Sequence, residues 1–470
     1  LAEHRVKQID PEAREVGYQA GDFLEVPPPA NSWNPLCDLQ TYYGRRPVPV
    51  QRPWIELGKP FYGNGILRPA IPTFSDVDPW QPSFLVYGDY RMGVGVHRNG
   101  GQNIRNFAHR LNLDMDLRLT GTERFHAFMG PLDHNNRFTR LDFSDSRNVE
   151  FEEELDGQFE TGFFEGDLGA MTGRMIGVDA PFDLPFTVGL VPLVFQNGIW
   201  FEDAIAGAAV SFPWRHSALL NWANFDATFF AGFDQITSPA FNNDNGAAQV
   251  FGTAWFIEAY SGYIEADYAY LNDRDSQGRS YHNFGVSFTK RYFDRVSNSI
   301  RFIGNQGQSG GRLERSADGG ILLIENALIS STPNTVVPYA NFFVGNGRPQ
   351  SAARAGGSGG ILRNTGILFE SDGLTGLPTL DATGTSAYGG AIGINMLSAD
   401  YTRQIVFEFA GLDTYDNPLL SNAAGPQYGL GTRYQKALNN WSQIRVDLMA
   451  GALDDAPNIY GSRFEFRWKF

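Results

Sequence analysis

The sequence predicts an all-β chain closed into a transmembrane antiparallel barrel. Three observations carry this prediction. Several segments alternate strictly between apolar and polar residues, the last of them, Tyr460 to Phe470, alternates aromatic and charged residues to its end, and glycine is abundant at 53 residues while only 19% of residues are charged. No apolar stretch approaches the roughly 18 residues that a spanning helix needs, and the most apolar run, Phe186 to Phe195, is broken by Pro192. A chain that spans a membrane without helices must close into a barrel, because every backbone group in lipid needs a partner.

Residues 1–82 differ from the rest. Proline is dense in Val26-Pro27-Pro28-Pro29 and Arg46-Pro47-Val48-Pro49 and recurs at Pro69, Pro72, Pro79 and Pro82, a composition that favours extended or irregular chain over sheet interior. This region is read as an N-terminal periplasmic or lumen-facing segment that lines the lumen, caps the periplasmic mouth or contacts an envelope partner, with a short helix over Pro11 to Val16. No signal-peptide pattern opens the sequence at Leu1, as expected if a targeting segment has been removed or the chain trimmed.

From residue 83 to 470 the period is two. Leu111, Leu113, Met115, Leu117 and Leu119 alternate with Arg110, Asn112, Asp114, Asp116 and Arg118, which describes a strand with one apolar and one polar face. Phe225, Ala227, Phe229, Ala231 and Phe233 alternate with Asn224, Asp226 and Thr228, and Ile264, Ala266, Tyr268 and Tyr270 with Glu265 and Asp267. Ile405, Phe407 and Phe409 alternate with Gln404 and Glu408. Tyr428, Leu430 and Tyr434 lie opposite Arg433 and Gln435, and Ile444, Val446, Leu448 and Ala450 opposite Gln443, Arg445 and Asp447. A soluble β-sandwich also alternates, with its apolar face inward. Large aromatics at strand ends and polar spacers such as Asn242-Asn243-Asp244-Asn245-Gly246 favour the membrane. About 390 residues at roughly 22 to 24 per strand and connection give 16 to 18 strands, and the preference of bacterial barrels for even numbers selects 18, with 16 as the alternative. The glycine-rich stretch Gly304 to Gly390 suits a long loop that folds into the pore or spreads over its mouth.

In the closing segment the even positions read Tyr460, Ser462, Phe464, Phe466, Trp468 and Phe470, and the odd positions read Arg463, Glu465, Arg467 and Lys469. On a strand the two sets occupy opposite faces. The segment resembles the last strand of bacterial outer-membrane barrels, which ends in phenylalanine. That resemblance implies that Phe464, Phe466, Trp468 and Phe470 are read by the barrel assembly machinery, and that the strand pairs with the first one to close the barrel. A weaker resemblance, to alginate-export porins, rests on Phe186 to Leu193, Asn197 to Trp200 and Asn224 to Ala227. The lumen charges mix signs, whereas an export pore for an acidic polymer would show a basic stripe.

The net charge of −15 argues against nucleic acid as a partner and against adsorption to an anionic surface. The single cysteine, Cys37, excludes an intramolecular disulfide and thiolate clusters, no Cys-x-x-Cys-His is present for haem, and Asn34-Pro35-Leu36 does not suit a lipoprotein cleavage site. The seven histidines (His4, His97, His109, His126, His134, His216 and His282) form no metalloprotease pattern, and His109 shares the parity of its strand's aliphatic face. Gly-x-Ser-x-Gly occurs around Ser309 and Ser358, without the strand and helix that a nucleophile elbow requires. The carboxylate run Glu150, Glu152, Glu153, Glu154 and Asp156, and the segment Asp273 to Gly278, could attract calcium but read as solvated loops. No metal, cofactor or catalytic site is therefore expected.

The expected pore-lining residues are Arg110, Asn112, Asp114, Asp116, Arg118, Glu265, Asp267, Arg433, Arg445, Asp447, Arg463, Glu465, Arg467 and Lys469. They serve either solute selection or cross-strand ion pairing that shapes the wall. The function expected is an outer-membrane porin passing small hydrophilic solutes, embedded in lipid. The alternatives are a structural barrel that holds a partner or surface layer, with residues 1–82 as the contact or as a route to a homo-oligomer, and an outer-membrane hydrolase. A TonB-dependent transporter is disfavoured, because about 80 residues fall short of its plug and 22 strands exceed the remaining chain.

Overall fold

The structure, a computed structural model, describes residues 40–43, 46–49, 53–58, 78–134, 137–144, 148–241, 244–329, 335–398, 401–415 and 421–470. The helix expected over Pro11 to Val16, the proline run at Pro27, and His4, Cys37, Pro69, Pro72, Asn242 and Asn243 lie outside these residues. The chain divides into two compact units, Leu1–Arg52 with Phe61–Arg68, and Pro53–Pro60 with Pro69–Phe470. In the first, Gln40–Tyr43 and Arg46–Pro49 pair as an antiparallel hairpin.

In the second unit, eighteen antiparallel strands among the described residues close into a barrel. In chain order they are β1 (Ser83–Asn99), β2 (Gln102–Arg118), β3 (Arg124–Met129), β4 (Phe159–Asp167), β5 (Pro185–Phe195) and β6 (Phe201–Ser217), followed by β7 (Trp222–Asp234), β8 (Ala248–Ala259) and β9 (Gly262–Asp273). The second half comprises β10 (Tyr281–Tyr292), β11 (Val296–Gln306), β12 (Asp318–Leu328), β13 (Val336–Arg348), β14 (Ala387–Leu397), β15 (Arg403–Thr414), β16 (Gln427–Ala437), β17 (Ser442–Leu453) and β18 (Ile459–Lys469). One helix, α1 (Leu168–Ile176), joins β4 to β5, with the Asp167 carboxylate accepting from the Ala170 N–H at its start and Gly177 in the left-handed region at its end.

The last strand pairs with the first from Tyr460 opposite Arg98 to Lys469 opposite Asp89. Phe470 exchanges both backbone hydrogen bonds with Gly88, at 3.0 and 3.1 Å. Beyond that point Ile55–Gly58 continues the pairing along Ser83 to Val86 of β1. Closure leaves no free end strand among the described residues, as a lipid surround requires.

Alternation decides which side chains meet lipid. Val286, Ile300, Val344, Ile392, Phe407, Leu430, Leu448 and Phe464 are exposed outward. Aromatics mark both ends of this belt: Trp214, Tyr260, Phe293, Tyr401 and Trp468 at the end with short turns, and Phe233, Phe251, Tyr388, Tyr428 and Tyr460 at the other. This is the pattern of a barrel held between two membrane interfaces. The turn Tyr260-Ser261 has φ of 57° and 61°, both left-handed, as a two-residue hairpin requires. Short turns belong on the periplasmic side and long loops outside. Among the described residues no helix is long and apolar enough to cross a membrane.

The structure corrects the reading of Gly304 to Gly390 as a single loop. Two spanning strands, β12 and β13, lie within it, and the true loop is residues 349–386. Alternation fails there for a physical reason. Ile321 and Leu323 face inward and are fully buried, while Leu322 faces lipid, so both faces of β12 are apolar and the run Ile321-Leu322-Leu323-Ile324 shows no period. What covers the inner face is the loop itself. Leu362, Leu368, Phe369 and Leu380 of the loop join Ile205, Phe230, Ile303, Ile321, Leu323, Phe343 and Leu412 of the wall in one buried cluster.

Candidate functional site

Among the described residues, three elements enter the lumen. The first is the loop 349–386. Its start runs parallel to β6, with Ala353 and Arg354 opposite Phe201 and Glu202. Glu408 on β15 accepts from the backbone N–H groups of Ile367 and Leu368 at 2.9 and 2.8 Å, and from the Tyr339 hydroxyl. The second is the tight turn after β5, where Gln196 and Asn197 adopt positive φ and drive Trp200 inward. The indole donates to Asn283 at 2.8 Å, and Gln196 bridges Asp267 (2.7 Å) and Arg301 (2.8 Å). The third arises where β3 and β4 break. Arg140–Asp142 resumes the pairing with β2, Glu150–Glu152 pairs with it in turn, and the excursions between carry Asp133, Phe138 and Asp156.

The glycines of β1 make the docking geometrically feasible. A Cβ at Gly93 would lie 2.9 Å from Leu374 and Thr375 side-chain carbons, and one at Gly95 2.8 Å from the Thr375 Cβ. A larger residue at either position would push the loop off the wall.

Opposite the apolar cluster the loop meets charge. Asp447 on β17 accepts from Arg433 (2.7 Å), Arg445 (2.7 Å) and Arg463 (2.7 Å). Glu370 of the loop pairs with Arg433 at 2.6 Å and Arg445 at 3.4 Å, and Asp372 pairs with Arg463. Burial alone would push both loop carboxyls up. The arginines beside them, with the Thr375 hydroxyl and N–H at Asp372, hold both below the usual carboxylate range. The loop is thus clamped on this side by two ionised carboxylates.

Next to the clamp, Arg467, Arg91 and Arg110 stand directly opposite one another on β18, β1 and β2. Their placement follows from period two and barrel closure alone. Arg91 grips the buried Glu465 with two bonds of 2.7 and 2.9 Å. Arg467 reaches Glu465 at 3.4 Å and Asp89 at 3.5 Å. Arg110 pairs with Asp133 at 3.2 Å and lies 5.1 Å from the Phe138 ring centroid. The Arg110 and Arg467 side chains remain 24% and 28% exposed, against 2% for Arg463. The two therefore face a water-accessible space, while Arg463 serves the wall. That space is a polar cavity of about 560 Å³ between the arginine row, the loop and the β3–β4 excursions, with Arg363, Glu160 and Glu202 also on its lining. On the short-turn side of the row the wall turns acidic. Asp116 accepts from Tyr87 (2.8 Å) and contacts His126 (3.0 Å) and Arg124 (3.2 Å), and Asn112 donates to Asp89 at 3.0 Å.

No family model matches the chain, and no curated protein matches it by sequence. Solved structures do match. OccK7 (OpdD) of Pseudomonas aeruginosa superposes with a TM-score of 0.52 at 10% identity, covering 82% of this chain and 98% of that one. OpdL of the same organism gives 0.51 at 10% identity, with the same coverage. OccK2 (OpdF), in complex with glucuronate, gives 0.52 at 8% identity, again over 82% and 98%. This chain has the fold of an outer-membrane porin. At these identities the likeness is one of fold, so the chemistry of the lumen must be read from this chain's own residues.

In this porin fold the sequence-predicted lumen residues of any one strand share one parity. Arg110, Asn112, Asp114 and Asp116 line the inner face of β2, with Arg118 at its short-turn end. Arg433, Arg445, Asp447, Arg463, Glu465 and Arg467 form the charged wall just described, and Lys469 sits exposed at the rim. Glu265 accepts from Ser287 at 2.7 Å and Asp267 is buried against Gln196, so these two belong to the packed half of the lumen. Arg91, Asp133, Glu370 and Asp372 are additions. Arg91 had a local signal, the period-two set Tyr87, Asp89 and Arg91. The loop acids had none, since their partners lie 63 to 91 positions away.

The other sequence candidates are absorbed by structure. His282 contacts the Tyr268 hydroxyl at 2.7 Å, and His109 the Tyr90 hydroxyl at 2.6 Å. Asp273 accepts from the backbone N–H groups of Asp275, Gln277 and Arg279, and Glu152 pairs with Arg140 at 2.6 Å. Among the described residues no group of three His, Cys, Asp or Glu side chains could hold a metal ion.

Proposed function

We propose that this barrel is a passive porin of the outer membrane whose lumen favours small hydrophilic anions, carboxylates above all. The observation that carries the reading is the row Arg467, Arg91 and Arg110 on the wall of a polar cavity. Planar guanidinium groups match carboxylates in geometry and charge. A solute entering here exchanges water for partly exposed N–H donors and is released because those donors also hold Glu465 and Asp133. The glucuronate held by one structural neighbour is a carboxylate of this size class.

A small carboxylate interacts with Arg110 and Arg467 and passes between the clamp and the β3–β4 excursions. Nothing in this path needs a bond to be made or broken, so the activity proposed is transport and not catalysis. The assembly role of Phe464, Phe466, Trp468 and Phe470 belongs to the same proposal. Phe464 and Trp468 face outward at the seam, where assembly factors can reach them before closure.

Liposome swelling tests the reading. Vesicles holding the purified protein should swell faster with glucuronate than with glucose outside. Equal rates would remove the anion preference, and no swelling from a folded barrel would remove the porin.

A further inference from the structure

On the lipid-facing wall, one row of polar side chains interrupts the apolar belt. Lys290, Asn298 and Asn326 stand directly opposite one another across β10 to β12, with Gly262 of β9 beside Lys290. These three side chains lie near the short-turn ends of their strands and point outward, as the inward set Glu265, Ser287, Arg301 and Glu325 requires. The next outward row is Ile264, Phe288, Ile300 and Ile324, and the one above it Ala266, Val286, Phe302 and Leu322. Between the aromatic shoulders Tyr260, Tyr292 and Phe302 these rows leave an apolar trench of about 620 Å³, with Lys290 at its short-turn end.

Lys290 is placed but not neutralised. Its ammonium donates to the Tyr260 carbonyl at 3.0 Å and lies 5.8 Å from the Tyr292 ring centroid. No carboxylate among the described residues comes within ion-pair distance of it. The Asn298 amide donates to Asn326 at 2.8 Å, so the amide row is ordered at the height where headgroups lie. A cation and two amides over an aliphatic trench match a phosphate above an acyl chain.

We propose that this trench binds one anionic phospholipid of the periplasmic leaflet, with its phosphate on Lys290 and the amide row and an acyl chain against Ile264, Val286 and Ile300. A second copy of the chain is the poorer occupant. A two-fold contact on this face would bring Lys290 against Lys290, with no carboxylate to separate them.

Native mass spectrometry of the full chain in mild detergent tests this, with phosphatidylglycerol or phosphatidylethanolamine added. One phosphatidylglycerol should stay bound at collision energies that strip phosphatidylethanolamine. Lys290→Gln should lower its retention by about tenfold or more, the loss expected for one charge-assisted hydrogen bond. Val286→Trp, which fills the trench without touching the charge, should also lower it. Heat-modifiable migration on gels confirms that both variants are folded barrels. Three results would overturn the proposal: unchanged retention in both folded variants, equal retention of the two lipids, or a wild-type dimer that Val286→Trp dissociates.

Discussion

The two halves of the inner wall hold the same loop by different means. Along β6 to β15, Leu362, Leu368 and Phe369 sink into a dry cluster with Ile321, Leu323 and Phe343. Along β16 to β18 and β1, the loop is held by Glu370 and Asp372 against Arg433, Arg445 and Arg463. The first half is structural: close packing excludes water and fixes the loop. In the proposed pore the second half, where Arg110 and Arg467 stay partly exposed, is the side that carries solute. Under that proposal, apolar packing on one side of the lumen leaves solute selection to a few arginines on the other.

The comparison breaks most visibly if the dry half is loosened. Phe369→Ala combined with Leu362→Ala should free the loop, since each truncation of a buried side chain of this kind costs roughly 2–5 kcal/mol. Single-channel conductance should rise several-fold, and limited proteolysis should cut within 349–386. A change on the wet half should act on selectivity and leave the opening alone. Arg110→Glu replaces a cation with an anion beside Asp133, and the preference of liposome swelling for glucuronate over glucose should vanish or reverse.

A pH titration separates the two halves further. The docked carboxyls of Glu370 and Asp372 lie below their usual range. Their contribution to docking is therefore complete above the ordinary carboxylate pKa of about 4 and is lost as pH falls through the lower docked values. Current noise should stay low at neutral pH and rise only in acid. Asp372→Asn should show that noise already at neutral pH, because Arg463 then loses its loop partner. The smallest effect is expected at the seam. Trp468→Ala removes a ring contact with Phe470, at 5.4 Å between centroids, and should lower the unfolding free energy by about 0.5–1.5 kcal/mol beyond lost area, leaving conductance unchanged.

The sequence was legible where a strand has water on one side and lipid on the other. Arg110 to Leu119 and Tyr460 to Phe470 are such strands, and parity alone orders their charged residues on the inner face. It was opaque where the lumen is dry. On β12 both faces are apolar, so Ile321 to Ile324 lost its period and two strands merged into an apparent loop. The partners of the arginine wall were hidden for a different reason. Glu370 and Asp372 sit in a glycine-rich stretch without periodicity, and only the folded loop brings them to Arg433 and Arg463.

The most direct test is the wild-type protein in a planar bilayer under a KCl gradient. Stable open steps with a reversal potential on the chloride side, set by Arg91, Arg110 and Arg467, are expected. A silent folded barrel, or steps whose reversal potential favours potassium, would contradict an anion-selective pore.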